Sequence, residues 1–325
     1  MTHNVGNETD IDVTLNIVNW KTPDLVARCL ESLEQGTMGI RAQIIVVDNA
    51  SGDGSVELIR SFAGVTLLAN DRNWGFSRAT NQAFAVARGR YFLLLNPDTV
   101  VRPKALSIMA EFLDAHEDVA GATCKLLNLD GSFQRYYKRL PTWLIVLRTF
   151  TVLKNLTPNN RFSRSFYMMD DLFDTIREVE QPPGTCLMLR RSLLSGPTLL
   201  DERFPVLFSD IDLCRTLRNR GLRLFFVPAA EVLHHGAAGG VGQMKDDAVI
   251  DYLICLIRYY RKHEGLLAAA LLWTILALDS LLVLAVSLVK VMLRKKDWLS
   301  LTHEFRRRSR LFKGRERFQY PAGFQ

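Results

Sequence analysis

The feature that most constrains the fold is a regular alternation of short apolar runs with helical segments through the first hundred residues. Val13–Trp20 is apolar and β-branched. Thr22-Pro23-Asp24 follows and opens an amphipathic helix, with Thr22 as its cap and Pro23 in its first turn. Gln43–Asn49 (QIIVVDN) is apolar on both faces, as a buried parallel strand requires. A helix over Asp53–Phe62, a strand over Val65–Leu68, a helix over Arg78–Arg88 and a fourth strand over Arg90–Leu95 continue the pattern. Strands separated by helical stretches of about ten to fifteen residues predict right-handed βαβ units, hence an α/β domain around a mainly parallel sheet. At 325 residues the chain is long enough for one large domain or two of ordinary size.

In a sheet of that kind, ligands bind beyond the carboxyl ends of the strands. The residues to weigh are therefore Asn19, Asp48, Asn70 and Asn96-Pro97-Asp98. An Asx-rich turn with a helix cap accounts for Ser51 to Ser55. It accounts less well for Asp48, because a carboxylate that closes a buried strand calls for a partner, and a base or a ribose hydroxyl would suit it. Asn96-Pro97-Asp98 sets two oxygen ligands two residues apart around a proline that stiffens the turn. A carboxylate there suits Mg²⁺ or Mn²⁺ carried by a diphosphate, since such ions take few protein oxygens and keep substrate oxygens. An ordinary turn is the competing account.

The second half is organised differently. Val119–Lys125 and Thr185–Arg190 read as strands, and Leu222–Val227 as a strand ended by Pro228. Phe208-Ser209-Asp210-Ile211-Asp212 opens a helix that runs to Gly221, with both carboxylates in or near the first turn, where capping alone explains them. His234-His235-Gly236 is a histidine pair of the kind that is often structural. Between Phe133 and Arg164 stand seven Lys/Arg and no acid, mixed with Tyr136, Tyr137 and Trp143. Either an ordinary amphipathic segment or a surface for anionic lipid, or for an anionic lipid-linked acceptor, fits that composition.

The net charge of +7 is not spread over the fold. Eleven Lys/Arg against three Asp/Glu from Lys290 to Gln325 leave −1 for the first 289 residues, so a nucleic-acid face is not expected. Before that tail, Leu266–Val289 is a 24-residue stretch with one charge, Asp279, flanked by cations on both sides. It is long enough to cross a hydrocarbon core of ~30 Å, although the symmetric flanks give no orientation. A mid-span carboxylate is costly there, so a re-entrant or monotopic arrangement competes with a single span. Residues 1–12 are polar and acidic, and no secretory leader is expected. Five scattered cysteines without CxxC spacing point away from disulfides or a cysteine zinc site and toward a reducing compartment.

Taken in order, VNWKTPDLVARCLESL, VVDNASGDGS, NDRNWGFSRATNQA, LLLNPDTVVRP, FSDIDLCRTLRNRGLRLFFVP and VLHHG resemble family 2 glycosyltransferases, and most of all the bacterial rhamnosyltransferase-like branch. The likeness covers about residues 13–240. It implies a GT-A fold and an inverting, metal-dependent transfer of a hexose such as rhamnose from a dTDP-, UDP- or GDP-linked donor. The acceptor implied is a glycan or lipid-linked glycan of cell-surface polysaccharide synthesis, reached at the cytoplasmic face of the bacterial inner membrane. Asp48 matches the family's nucleotide-holding carboxylate, with Asn49, Ser51 and Asp53 in the same loop and Asn19 at the neighbouring strand end. Asn73, Gly75, Phe76 and Asn81 match the segment lining the donor site. Asn96-Pro97-Asp98 matches the DxD-type metal motif, with Asp98 as ligand, and His234 matches a further metal or diphosphate contact. Asp210 matches the catalytic base and Asp212 the acidic residue two positions on. Ser209 departs from the usual Glu, Pro197-Thr198-Leu199-Leu200 from the usual Gly-Gly-Phe, and Gly239-Gly240 from a common Ser.

These readings divide the chain into a polar tail (1–12), a nucleotide-sugar half (13–125), an acceptor half (126–250), an apolar helical segment at an anionic membrane surface (251–296) and a basic tail (297–325). A nucleotidyltransferase of similar fold and a non-catalytic nucleotide-sugar-binding scaffold are the alternatives. The first would carry a Gly-rich basic loop before Val13, where none stands.

Overall fold

The computed structural model describes residues 11–153, 161–236, 248–294 and 297–314. Most of the N-terminal tail, Gly239-Gly240, Lys295-Lys296 and the end of the basic tail lie outside the described residues. Two compact units emerge. One comprises the described residues up to Leu140 and from Tyr167 to Gly236. The other comprises those of Pro141–Phe166 and from Ala248 onward.

The first unit begins with β1 (Val13–Asn19), α1 (Pro23–Gly36), β2 (Ala42–Asp48), α2 (Ser55–Arg60), β3 (Val65–Ala69), α3 (Gly75–Ala85) and β4 (Tyr91–Leu95). β1 is buried at every position, and it pairs in parallel with β2 and with β4, while β2 pairs in parallel with β3. The expected βαβ order is observed. Next come β5 (Thr99–Val101), α4 (Ala105–Ala115), β6 (Val119–Leu127), β7 (Arg177–Glu178), β8 (Cys186–Arg190), α7 (Ser209–Asn219) and β9 (Arg223–His234). They extend the sheet in the order β3-β2-β1-β4-β8-β6-β9-β5, with β7 beside β9. β8 inserts antiparallel between β4 and β6, and β9 runs parallel to β6. The result is an α/β sheet, parallel where the nucleotide half was expected and mixed beyond it.

Pro228 does not end its strand. The β6–β9 register runs Cys124↔Val227 and then Lys125↔Glu231, so Pro228 falls in an irregularity of the ladder where its missing N–H breaks no strand pairing. That irregularity carries β9 on to His234, opposite Thr99 of β5. One face of the sheet packs against α1 and α4, through Leu15, Ile17 and Leu93 against Val26, Leu33, Leu106 and Met109. All five cysteines are free and buried.

The second unit holds α5 (Trp143–Phe150), α6 (Arg161–Phe166), α8 (Ala248–His263), α9 (Leu266–Met292) and α10 (Trp298–Lys313). Trp143 meets Tyr260 edge-on at 4.8 Å, and Phe150 packs on Tyr252 at 5.0 Å. The basic-aromatic stretch therefore divides. Residues 133–140 are mostly extended in the first unit, whereas the segment from Pro141 joins the C-terminal helices because its large rings find apolar partners there.

Gly121 of β6 tests the packing of the first unit. A Cβ there would stand 2.6 Å from the Met188 carbonyl and 2.9 Å from two leucine side chains. Gly121→Ala is expected to lower stability by about 1–3 kcal/mol, the usual cost of overpacking, read as a lower urea midpoint with the slope unchanged.

Candidate functional site

The site residues collect where the parallel strands end. Asn19 and Asp48 close β1 and β2 at the same level, and Ile17 pairs with Leu95, which brings the Asn96-Pro97-Asp98 turn to that level too. With strands ~4.8 Å apart, Asp48 lies roughly 10 Å across the sheet from that turn.

Asp48 is fully buried, and its carboxylate is occupied by the protein itself. Oδ2 accepts from Asn19 Nδ2 at 2.8 Å and from Ser51 Oγ at 2.6 Å, while Oδ1 accepts from the Ser51 backbone N–H at 3.0 Å. Ser51 Oγ also accepts from the Lys21 N–H, and Asn19 Oδ1 from Thr22 Oγ1. Sequence reasoning expects Asp48 to grip a nucleotide directly. That charge also shapes the loops after β1 and β2, since a buried carboxylate needs such donors. Asn49 is likewise buried. Its Nδ2 donates to the Gly75 carbonyl, and its Oδ1 accepts from Asn70, which exchanges two amide bonds with Gln82. Asn73 Oδ1 accepts from the N–H of Gly75, whose φ of +79° starts α3. Phe76 is half-buried in that first turn. Asp53 is exposed and caps Ser55.

Asn81 is buried in a network of its own. Its amide donates to the Leu200 carbonyl and Glu202, and its Oδ1 accepts from the N–H groups of Leu199 and Leu200. It thus ties α3 to the Pro197–Leu200 segment, the stretch that departs from Gly-Gly-Phe. It serves there as a staple between the two segments.

The Asn96-Pro97-Asp98 turn rests on α1. Thr99 Oγ1 donates to the Asn96 carbonyl at 2.7 Å, and the Cys29 sulfur lies beneath both. Burial pushes the Cys29 thiol up to about 12, so it stays neutral under the turn. Asp98 and His234 are both buried and face each other, Oδ1 to Nε2, at 3.4 Å. The other side of the ring settles what Nε2 offers. Gln134 Nε2 donates to the His234 carbonyl and to Asn128 Oδ1, so Gln134 Oε1 is turned to accept the Nδ1 proton at 2.7 Å. In the neutral ring, Nε2 then presents a lone pair toward a carboxylate oxygen.

An imidazole nitrogen and a carboxylate oxygen 3.4 Å apart can share a proton or hold a cation between them. An aspartate oxygen with an imidazole nitrogen is a fitting partial shell for Mn²⁺ or Mg²⁺ that also takes substrate oxygens. No cluster of three or more His, Cys, Asp or Glu occurs among the described residues. Asp98 and His234 are the residues that would hold such an ion.

Asp210 is coupled to the turn that bears Asp98. The Asn96 N–H donates to the Thr185 carbonyl at 2.9 Å, and the next residue back, Gly184, donates its N–H to Asp210 Oδ2 at 3.1 Å. Two hydrogen bonds thus link the metal-type turn to the carboxylate at the start of α7. A Cβ on Gly184 would lie 3.4 Å from that of Asp210, an ordinary van der Waals contact. Phe208 just before α7 has φ +69°, a strained value for a bulky residue and one that sets the first turn. Asp210 is half-buried whereas Asp212 is buried. Lys138, placed opposite Gln181 by an isolated β-bridge, lies within electrostatic reach of Asp210. Burial holds its pKa below the usual lysine value, partly offset by that carboxylate.

The structure therefore brings together Asp98 with His234, joins Asp210 to them through Thr185 and Gly184, and places the Asn19–Asp48–Ser51 and Asn49–Asn73–Gly75 networks on the same sheet edge. Sequence reasoning misses Gln134 and Lys138. Both lie in the basic-aromatic stretch, whose composition alone marked it.

A family model described as Glycosyl transferase family 2 matches residues 15–195. An N-acetylglucosaminyl-diphospho-decaprenol L-rhamnosyltransferase of Mycobacterium tuberculosis is 28% identical over 270 residues, covering 78% of this chain and 86% of the relative. The rhamnosyltransferase WbbL of Escherichia coli K12 is 24% identical over 231 residues, covering 69% and 83%. Among solved structures, the mannosyltransferase PcManGT from Pyrobaculum calidifontis, in complex with GDP-Man and Mn²⁺, superposes with a TM-score of 0.52 at 15% identity, covering 94% of this chain and 88% of that one. That likeness shows the fold, a GT-A-like α/β sheet. With more than half its length matched by the family model, the chain belongs to glycosyl transferase family 2.

Proposed function

We propose that this chain is an inverting glycosyltransferase that moves a hexose, rhamnose first among the candidates, from a nucleoside-diphosphate donor to a hydroxyl of a lipid-linked glycan. The observation that carries the reading is the tie of Asp210 to the Asp98–His234 pair through Gly184 and Thr185. The names of the two relatives above support rhamnose as the sugar and a diphospho-lipid carrier as the acceptor class. Cell-surface polysaccharide synthesis at the cytoplasmic face of the bacterial inner membrane is the setting that suits those substrates, with α9 as the attachment.

The chemistry follows from the placement. Asp98 and His234 would hold a divalent ion, which when bound would supply charge stabilisation for the departing diphosphate. Asp48 and Asn49 keep the loops of the donor side in shape from below. Asp210, half-buried and held by the Gly184 and Ile211 N–H groups, retains lone pairs with which to take the proton of the attacking acceptor hydroxyl. A base facing the metal-side carboxylate across the sugar requires no covalent intermediate, so the anomeric configuration inverts. Asp212 is buried and serves the helix start. A nucleotidyltransferase would show no sugar transfer, and a scaffold would bind donor without turnover.

Asp210→Asn is expected to cut kcat by about 10²–10⁴-fold, the range for an acid–base group, with donor affinity measured by calorimetry unchanged. Loss of transfer in Asp212→Asn, with Asp210→Asn active, would reverse the assignment. Gln134→Leu removes the acceptor for the Nδ1 proton and frees the ring to present the wrong nitrogen. It is expected to weaken Mn²⁺ binding by about 10–100-fold, as outer-shell losses do, read by electron paramagnetic resonance of free Mn²⁺. Affinity equal to wild type would contradict the tautomer argument.

A further inference from the structure

The contacts of α9 decide between two ways of meeting a membrane. At 27 residues and ~40 Å it is long and apolar enough to cross one. Its midpoint, however, is a polar junction. Asp279 Oδ1 accepts the backbone N–H of Val152 at 2.6 Å, from a non-α-helical stretch that follows α5. The next residue, Ser280, is fully buried, and its Oγ accepts from Arg308 of α10 at 3.1 Å. Arg308 is paired with Glu304, and Arg310 of the same helix with Asp251 of α8.

α10 runs antiparallel along α9, since Ser280 meets Arg308 and Trp273 meets Phe312. A spanning α9 would carry the Arg308–Glu304 pair, the Asp279 carboxylate and an irregular backbone segment to the middle of the hydrocarbon. That is where charges and unpaired peptide groups are least tolerated.

The opposite face of α9 is of another kind. Leu267, Leu271, Leu278, Leu282 and Met292 recur at helical spacing on one side, each at least half exposed. The inward side carries Ala269, Leu272, Leu276, Ser280 and Ser287, all buried. On α10, Trp298, Phe305 and Phe312 form a second exposed stripe, with the exposed cations Arg306 and Lys313 beside Phe305 and Phe312. Trp273 and Phe312, both partly exposed, touch edge to face and join the two stripes into one surface. Exposed Arg261, Lys290 and Arg294 stand at the two ends of α9. An apolar strip bordered by aromatic rings and cations complements an anionic leaflet, with aliphatic side chains at the acyl boundary and cations among the headgroups.

We infer that α9 and α10 form a monotopic docking surface for the anionic leaflet of a bilayer, with α9 lying in the interface plane and both of its ends on the same side of the membrane. This rests on the membrane attachment proposed above and deepens it, because length and composition alone leave a span equally open.

The test uses the full chain in bacterial inner membranes, with Arg261→Cys and Arg294→Cys reporters at the two ends of α9. The native cysteines are buried and contribute little labelling. A membrane-impermeant maleimide is expected to label both reporters in inverted vesicles and neither in intact spheroplasts. Labelling of one reporter from each side would overturn the inference while leaving membrane attachment standing. In parallel, the purified full chain is floated with phosphatidylglycerol-containing vesicles and with phosphatidylcholine alone. Binding at least ten-fold stronger to the anionic vesicles is expected, with loss of that binding in Leu278→Glu/Leu282→Glu at unchanged helical content by circular dichroism. Wild-type chain that floats with neither lipid would sink the attachment reading itself. Wild-type-like flotation of the double variant would overturn the proposed surface alone.

Discussion

The geometry at the carboxyl edge of the sheet depends on one closure, the antiparallel insertion of β8 against β4. The ladder runs up to Leu95 opposite Cys186 and is extended by the bond from the Asn96 N–H to the Thr185 carbonyl. The metal-type turn and the residues before β8 therefore cannot move independently. Gly184, one residue away, lends its N–H to Asp210. The start of α7 is thereby coupled to the turn that bears Asp98. Strand pairing, the most rigid coupling available to a sheet, sets their relation, and preorganisation of that kind is what positions reacting groups.

The buried polar groups around this closure divide the labour. Asp48 and Asn81, which carry motif positions of the family, are spent on internal hydrogen bonds that shape loops. Asp98 and His234 are left facing each other, a pairing that suits a divalent cation. Gln134 imposes the second arrangement by anchoring its own amide to a main-chain carbonyl, so that one end of it can only accept. Phe208 holds a left-handed backbone just ahead of Asp210, a local cost borne at a functional edge as strained residues often are.

The sheet was legible because β1, β2 and β4 are apolar on both faces and separated by helices with readable starts. The β9 extension was not legible, because Pro228 is a strand breaker in isolation and only the irregular β6 register makes it harmless. At the site, position after a strand pointed to Asn19, Asp48 and Asp98, which stand at one level of the sheet edge. It did not reveal which oxygens the protein would consume itself, since that depends on Asn19 and Ser51 meeting Asp48 across two loops. Gln134 and Lys138 carry no motif at all, and their proximity to His234 and Asp210 exists only in three dimensions. The amphipathic character of the C-terminal helices was visible as composition, while the inward direction of Asp279 required the Val152 contact.

The central claim is that Asp210 attacks the problem from the side of the sugar opposite the diphosphate held near Asp98. The most direct test is the anomeric configuration of the first-formed product, read by proton nuclear magnetic resonance during transfer from a donor of defined anomer. The arrangement predicts a product of opposite configuration to the donor. A product of retained configuration would require a nucleophile on the other face and would contradict the placement of Asp210 as base.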